Sequence, residues 1–233
     1  PYWDDWQEEC ALADQIVVNS IWSRDALVSE GIEANKINVV PLAYASPSEA
    51  KDFQRCYPET FTAQRPLRVL FLGQVTLLKG ILPLLEAARL VEREPIEFQI
   101  VGTLHAHLPA EIRNRPNVFW RGGVKRSEVA EYYREADVFV FPSYSDGFGL
   151  TQLEAQAWKL PVIASRFCGD VVRDGDNGLL LDDVSGKAIA NVVLDLVRNP
   201  NRLRHLSAQS EVGDKFSLDS LASALLSLPT NEY

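Results

Sequence analysis

The sequence predicts an α/β fold, a doubly wound parallel sheet of the Rossmann-like kind, and three observations support this prediction. Short β-branched or aromatic runs alternate with helical segments along most of the chain. The apolar share of 46% and the charged share of 24% are those of an ordinary globular protein. The length of 233 residues is ample for a buried core. Strands that alternate with helices form a parallel sheet that is covered on both faces.

Each element is predicted from a short pattern. The predicted strands are Ile16–Asn19, Ile37–Val40, Leu67–Leu72, Ile96–Val101, Val118–Trp120, Val138–Phe141, Val162–Ala164 and Leu179–Leu181. The predicted helices are Ser23–Ser29, Ile81–Arg93, Ser127–Ala136, Gly149–Lys159, Ser185–Arg198, Pro200–Gln209 and Leu218–Leu228. Ser23, Ser127 and Ser185 stand where N-caps are expected, and Asn199-Pro200 is typical of a cap followed by a first-turn proline.

The domain organisation follows from one break in this alternation. Residues 41–66 carry four prolines and no clear periodicity, and we interpret them as an interdomain linker. Residues 1–40 hold too few elements for a domain, so they are interpreted as the tail of a truncated Rossmann-like N-terminal domain. Residues 67–215 form the main C-terminal domain, and the helix within residues 216–233 is expected to pack back on the N-terminal domain. Because the chain has no Met, we expect a fragment whose N-terminal domain is largely missing.

Composition excludes several classes of function. A net charge of −9 disfavours nucleic-acid binding, which requires clustered Lys and Arg. No apolar run is long enough for a membrane span, and no signal peptide is recognisable. The three cysteines are far apart and lack metal-ligand spacing, which favours a reducing compartment, and we expect a cytoplasmic protein. His105 and His107 have no third ligand nearby in the sequence, so solvated histidines are favoured and no metal site is predicted.

Residues 141–165 predict a site for a polar, anionic small molecule. A strand-like run ends near Phe141, and the turn that follows holds Gly147 and Gly149. These glycines allow the backbone to approach a ligand closely, and the start of the next helix offers free N–H groups and a positive dipole end. In parallel sheets, ligands bind beyond the carboxyl ends of the strands, where both glycines fall.

The same helix places a carboxylate on its apolar side. At 100° per residue, one apolar face is formed by Leu150, Leu153, Ala157 and Leu160. The other side is formed by Thr151, Gln152, Ala155, Gln156 and Lys159. Glu154 falls inside the apolar face, where an unpaired charge is costly, so it must be paired or bind a ligand. The structural alternative is an ion pair, for example with Arg166.

A second candidate site follows the predicted strand Leu67–Leu72. The strand ends at Gly73, and Lys79 comes immediately before Gly80, where the next helix begins. A lysine beside the backbone amides of a helix start is suited to phosphate. Neither a Walker loop nor a G-x-G-x-x-G fingerprint is present, which disfavours a nicotinamide-binding domain.

Taken together, these motifs resemble the C-terminal, donor-binding half of the retaining nucleotide-sugar glycosyltransferases of family 4, whose GT-B architecture has two Rossmann-like domains. The resemblance covers nearly the whole chain. LFLGQVTLLKG resembles the family's G-R-x-x-x-x-K-G phosphate loop. ADVFVFPSYSDGFGLTQLEAQAWKLPVIAS resembles its paired-carboxylate motif, and DGDNGLLL resembles the usual sequel. ADQIVVNSIWSRDALVSEGI and NKINVVPLAY resemble the last N-domain strand and the crossing into the second domain.

The resemblance implies a role for each motif residue. Asp146 would hydrogen-bond the donor sugar hydroxyls and Glu154 the ribose, which makes them the catalytic pair. Lys79 would contact the donor diphosphate, and the backbone of Val124 would lie near the base. The remaining implied donor-binding residues are Gly73, Gln74, Gly147, Phe148, Gly149 and Leu150. The resemblance implies no cofactor and no metal; the donor is a nucleoside-diphosphate sugar.

Two departures leave alternatives open. Gln74 replaces the family's arginine and Asp146 replaces the usual glutamate, so the site is either adapted or weakened. The expected function is transfer of a sugar to a glycan, lipid or small-molecule acceptor by the complete protein, the chain alone being inactive. Peripheral membrane contact would occur through the missing domain. The alternatives are another GT-B enzyme, such as a sugar-nucleotide epimerase or a glycan synthase, and a nucleotide-sugar-binding module without catalysis, which Gln74 favours.

Overall fold

The structure is a computed structural model that describes residues 2–228, with the side chains of residues 5–228. The helices are α1 (Tyr2–Leu12), α2 (Ile21–Ser29), α3 (Ile81–Leu90), α4 (Ala110–Arg113), α5 (Val129–Glu135), α6 (Leu150–Ala157), α7 (Gly186–Arg198), α8 (Pro200–Gln209) and α9 (Leu218–Leu226). The strands are β1 (Ile16–Val18), β2 (Ile37–Val39), β3 (Leu67–Leu72), β4 (Ile96–Val101), β5 (Val118–Gly122), β6 (Val138–Phe141), β7 (Val162–Ala164) and β8 (Gly178–Leu180). Residues 229–233 of the predicted last segment lie outside the described residues.

The strands form a six-stranded parallel sheet and a separate two-stranded parallel sheet. The larger sheet has the order β5-β4-β3-β6-β7-β8, and the smaller one pairs β1 with β2. The larger order is that of a Rossmann fold, in which the winding reverses between two central strands, here β3 and β6. The predicted α/β fold with a doubly wound parallel sheet is confirmed.

Alternate residues of the central strands pack on opposite faces of the sheet, as the two-residue period of a strand requires. In β3, Val69 and Phe71 belong to the hydrophobic cluster that includes α3, α7 and α8. Leu70, between them, belongs to a second cluster that includes residues of α5 and α6. Helices therefore cover both faces, and the loops at the carboxyl ends of the strands are left to form a site.

Several local predictions were wrong. The N-cap of α2 is Ser20, whose hydroxyl accepts a hydrogen bond from the amide of Ser23 at 3.1 Å. Ser127 is not an N-cap, because it lies within a 3₁₀ turn. In that turn, the Glu128 carboxylate accepts a hydrogen bond from the amide of Lys125. The predicted N-cap Ser185 is confirmed, because its hydroxyl accepts a hydrogen bond from the amide of Ala188. Helices α1 and α4 were missed: α1 has little amphipathic pattern, and α4 is a single turn.

Residues 41–66 contain only a 3₁₀ turn and an isolated bridge, and their two arginines bind them to residues next to the large sheet. Arg55 donates to the carbonyl oxygens of Tyr133 and Trp158 at 2.7 and 2.8 Å. Arg65 pairs with the buried carboxylate of Asp137. The division into four parts stays a prediction, although α9 and the β1–β2 sheet share one groove. No helix among residues 2–228 is long and apolar enough to cross a bilayer.

Candidate functional site

A cavity of about 490 Å³ lies at the carboxyl ends of β3 and β6, where the winding of the sheet reverses. We call it the switch-point cavity. Its lining residues are Asn19, Leu42, 71–74, Lys79, Phe141 and 146–151. Ligands of open α/β sheets bind at such a point, because the two neighbouring loops diverge there and leave a crevice. The sequence placed both candidate motifs at these strand ends, and the fold brings them to one cavity.

Lys79 and Asp146 supply the charges of the switch-point cavity. Their side chains form an ion pair and are 29% and 17% exposed, so both are largely sheltered from solvent. The ammonium group of Lys79 also lies 5.8 Å from the ring centroid of Phe141. Asp146 is held from the other side, because its Oδ1 accepts a hydrogen bond from the amide of Phe148 at 3.1 Å. The cation is therefore fixed beside the loop that precedes α6.

The loop before α6 presents backbone donors. Gly149 is the N-cap of α6 with a φ of 79°, and no side chain caps the helix. A Cβ at this position would lie 2.6 Å from the Phe141 ring, so only glycine fits. In the described part of the chain, the amides of Gly147, Gly149, Leu150 and Thr151 form no hydrogen bond. Such amides at a helix start suit an anion.

The phosphate-loop candidates line the opposite wall of the cavity. Gly73 and Gln74 follow β3 directly, and the Gly73 amide donates to the Val101 carbonyl at 3.0 Å. Gly80, the N-cap of α3, has a φ of 75°, and its Cα lies so close to Pro142 that a Cβ would overlap the proline carbonyl. This close approach fixes the start of α3 against the end of β6. Lys79 is thereby held between the two loops.

Glu154 lies one helical turn beyond Leu150, and it is held by a tyrosine. The hydroxyl of Tyr133 donates a hydrogen bond to Glu154 Oε2 at 2.8 Å. The predicted alternative, an ion pair with Arg166, is not formed; within residues 5–228 no cation pairs with Glu154. The carboxylate is half-buried, with a neutral partner on one oxygen.

The predicted apolar face of α6 was wrong only in part, because Leu153, Ala157 and Leu160 are buried as predicted. Leu150 is 40% exposed and lines the switch-point cavity. Gln152 and Gln156, placed on the solvent side by the helical wheel, are fully buried. Gln152 Nε2 donates to the Phe148 carbonyl at 2.9 Å, and Gln156 Nε2 donates to the Val171 carbonyl at 3.5 Å. This face of α6 packs on polar loop backbone, and hydropathy alone cannot identify such a neighbour.

The structure brings most of the predicted site residues together. Those that line the switch-point cavity are Gly73, Gln74, Lys79, Asp146, Gly147, Phe148, Gly149 and Leu150. Glu154 lies outside this lining, behind Leu150 and Thr151. Val124 packs against the hydrophobic cluster of α5 and α6 and is also not among the lining residues. The donor roles of all these residues stay predictions.

Sequence reasoning missed part of the lining. Asn19 and Leu42 come from the first forty-odd residues, and Phe71, Phe141 and Thr151 come from the large sheet and α6. A Cβ at Gly147 would lie 3.2 Å from the side chain of Asn19, so the two segments meet there. The two phenylalanines could have been predicted as lining residues, because a residue at the carboxyl end of a central strand lies next to the crevice. Asn19 and Leu42 carried none.

Side chains that could bind a metal do not cluster in the described parts of the chain. Residues 5–228 contain no group of three or more His, Cys, Asp or Glu side chains that could hold an ion. His105 and His107 thus have no third partner within this range. The expectation of a site without a metal stays a prediction.

An open parallel sheet with the order β5-β4-β3-β6-β7-β8 and a crevice at its switch point defines the class of Rossmann-like folds. Residues 66–199, more than half of the chain, match the family described as glycosyl transferases group 1. The chain belongs to this family. The predicted resemblance to GT-B group 1 glycosyltransferases is thereby confirmed.

Curated relatives agree with this membership. The D-inositol 3-phosphate glycosyltransferase of Rhodococcus opacus is 30% identical over 239 residues, which are 94% of this chain and 54% of that protein. An uncharacterized 41.2 kDa protein in the cps region of Klebsiella pneumoniae is 29% identical over 77% of this chain and 51% of its own. The chain therefore spans about half the length of the curated relatives it matches.

Two solved structures share the fold. A glycosyltransferase from Rickettsia africae superposes with a TM-score of 0.73 at 20% identity, covering 92% of this chain and 62% of its own. Anabaena Alr3699/HepE, solved in complex with UDP and glucose, has a TM-score of 0.72 at 17% identity and covers 92% of this chain and 64% of its own. At these identities, the likeness establishes the fold.

Proposed function

We propose that this chain carries the donor-binding half of a retaining glycosyltransferase, which transfers a sugar from a nucleoside-diphosphate sugar to an acceptor. One observation carries the proposal: Lys79 lines the same cavity as four residues whose amides have no partner in the described part of the chain, Gly147, Gly149, Leu150 and Thr151. A cation and a set of aligned N–H donors form a seat for a diphosphate. The UDP and glucose named for Anabaena HepE support a donor of this class and make UDP-sugars the first to test.

The chemistry follows from the leaving group. Cleavage of the bond between a sugar and a phosphate develops negative charge on the nucleoside diphosphate and oxocarbenium character on the sugar. Lys79 and the start of α6 would stabilise the departing diphosphate, because fixed donors need no reorganisation as charge develops. Asp146 would hold the sugar hydroxyls in the geometry of attack. We propose that these groups suffice without a metal or a cofactor.

The remaining donor roles extend along α6. Glu154 would accept hydrogen bonds from the ribose hydroxyls, since it lies one turn beyond the proposed diphosphate seat. The backbone at Val124, in the loop after β5, would lie near the base. For the acceptor we propose a glycan, a lipid or a small molecule. All three cysteines are free, which supports the proposed cytoplasmic location.

Calorimetric titration with UDP, GDP and ADP, and with their sugar conjugates, tests the proposal. We expect one nucleoside diphosphate to bind the parent chain, and Lys79→Ala to weaken that binding about tenfold or more, the usual size of a charge-assisted contact. Lys187→Ala is the matched control, because this lysine is exposed on α7 and lies outside the cavity lining. The proposal would be abandoned if none of the three nucleotides bound, or if both variants lost affinity equally.

Turnover separates the enzyme from the alternatives. A glycosyltransferase releases the nucleoside diphosphate only as an acceptor is consumed, and an epimerase converts the donor without releasing it. A binding module does neither. Mass spectrometry of the donor, nucleotide and acceptor pools after incubation with the full-length protein distinguishes the three outcomes. We expect no acceptor-dependent release by the 233-residue chain alone.

A further inference from the structure

A partly buried hydrogen bond links α5 to α6 next to the switch-point cavity. The side chain of Tyr133 is 1% exposed, and its ring packs at a tilt on Phe139 with the centroids 5.8 Å apart. Its hydroxyl lies 2.8 Å from Glu154 Oε2 and 3.5 Å from the carbonyl oxygen of Thr151. The phenol therefore reaches the same turn of α6 that carries the cavity residues Leu150 and Thr151.

The hydroxyl of Tyr133 is a donor towards this carboxylate. Burial raises the pKa of Tyr133 well above its usual value, and the nearby carboxylate of Glu154 raises it further. The phenol thus stays protonated at physiological pH and donates its proton to Oε2. Since one oxygen of Glu154 is occupied, the other is left to accept from a ligand, and rotation of the carboxylate is restrained.

An arginine from the linker locks the two helices that carry this bond. The Arg55 guanidinium donates to the backbone carbonyl of Tyr133 at 2.7 Å and to that of Trp158 at 2.8 Å. These carbonyls lie at the carboxyl ends of α5 and α6, where a cation is stabilised by the helix dipoles. The separation of the two helices is thereby fixed, and the phenol is held at hydrogen-bond distance from Glu154.

We propose that Tyr133 is a positioning residue of the donor site, which holds Glu154 so that its free oxygen meets the ribose hydroxyls of the nucleotide. The inference rests on the proposed function, because it takes a nucleotide as the ligand. It adds a residue that lies outside both sequence motifs and does not line the cavity. Tyr133 acts on the ligand only through Glu154, so its removal should affect ribose recognition alone.

Ribose-dependent binding provides the test. Calorimetry compares UDP with 2′,3′-dideoxy-UDP, or the GDP or ADP pair if one of those nucleotides binds better, on the parent chain and on Tyr133→Phe. We expect the variant to bind the ribonucleotide about tenfold more weakly and the dideoxy nucleotide within about twofold of the parent. Tyr132→Phe is the matched control, since this neighbouring tyrosine is only half-buried and its hydroxyl has no partner among the described residues.

A double variant separates positioning from a structural effect. In the Glu154→Gln background, Tyr133→Phe should cause no further loss of ribonucleotide affinity. The proposal would be overturned if Tyr133→Phe lost affinity equally for both nucleotides, or for neither. It would also be overturned if the parent chain bound the ribonucleotide and the dideoxy nucleotide equally well. In the last case, nucleotide binding that still depends on Lys79 would leave the proposed function standing. Thermal unfolding of Tyr133→Phe confirms that the folded state is being titrated.

Discussion

The ammonium group of Lys79 is paired with the carboxylate of Asp146, and both line the switch-point cavity. The two side chains come from different loops, one after β3 and one after β6, so the ion pair bridges the point where the winding reverses. A diphosphate that binds Lys79 must share this cation with Asp146. Under the proposed function, the carboxylate would weaken binding of the free nucleotide and would be needed to hold the donor sugar.

Asp146→Asn should therefore separate nucleotide binding from sugar transfer. The amide oxygen of Asn still accepts from Phe148, so the loop geometry is retained, but the negative charge beside the diphosphate is removed. We expect the nucleoside diphosphate to bind several-fold more tightly, since like charges within a few ångströms repel. Calorimetry measures this change, with Asp182→Asn as a control that alters the same charge at an exposed position outside the cavity lining. Unchanged or weaker binding would contradict this account.

Gln74→Arg should also strengthen nucleotide binding. Gln74 lines the cavity at the position where the resembled family carries an arginine. A charge-assisted contact to phosphate is worth about 1.5–3 kcal/mol, which corresponds to a tenfold or greater gain in affinity. Gln64→Arg adds the same charge at an exposed position outside the cavity lining and is the matched control. Equal affinities for the parent and Gln74→Arg would mean that this side chain does not reach the phosphates.

The positions of the site loops were predictable, because they depend on strand order and strand ends. The runs that became β3 and β6 are short and apolar, and in a doubly wound sheet their carboxyl ends meet. Glycines in the loops that follow these strands, together with Lys79, were sufficient to place the two halves of the cavity. These signals are local in sequence and need no knowledge of which surfaces pack together.

The contacts around α6 were not predictable in the same way. Gln152 and Gln156 are buried because the neighbouring loop supplies carbonyl acceptors, and a helical wheel assumes an apolar neighbour. Tyr133 belongs to another helix, and nothing in its local sequence indicates that its hydroxyl meets Glu154. Asn19 is more than a hundred residues away from the loop it contacts. Such pairings are set by tertiary packing, which local propensity does not encode.

Gly149→Ala should disrupt the cavity loop, and a second glycine provides a control. Gly149 and Gly175 have nearly the same φ, 79° and 76°, but an added Cβ meets the Phe141 ring at 2.6 Å in the first case and no atom within 4 Å in the second. Gly175→Ala should cost only the left-handed strain, about 1 kcal/mol. Gly149→Ala should cost about 1–3 kcal/mol more, the usual penalty for overpacking. Urea unfolding of both variants measures the difference, and equal losses would exclude the clash.

The cysteines should differ sharply in reactivity. Burial raises the pKa of the Cys168 thiol to about 12, and its sulfur is enclosed by Gln152 and the Ser165 carbonyl. At pH 8 this thiol is neutral and inaccessible, whereas Cys56 is exposed. We expect a thiol reagent at pH 8 to modify Cys56 rapidly and Cys168 only after unfolding. Peptide mass mapping identifies the modified residue, with Cys56→Ser as the control, and rapid labelling of Cys168 in the native state would be contrary to the structure.

Residues 41–66 should contribute to stability through one ion pair. Arg65 places two nitrogens 2.6 Å from the carboxylate of Asp137, which also accepts from the Arg68 amide at 2.9 Å. The Asp137 side chain is only 3% exposed, whereas that of Arg65 is 33% exposed. Asp137→Ala removes the acceptor from both donors and leaves the buried amide without a partner.

Loss of one partner from a buried pair typically costs about 3–5 kcal/mol. Because Arg65 can still reach water, we expect about 2–3 kcal/mol for Asp137→Ala. The control is Glu86→Gln, which breaks an exposed ion pair with Arg89. The side chains of Glu86 and Arg89 are 47% and 48% exposed. That change should cost much less than Asp137→Ala, because solvent screens an exposed pair. Denaturant unfolding at neutral pH compares the two variants. Similar small losses would show that residues 41–66 are not anchored through Asp137, and that solvent screens this pair as it screens the one on α3.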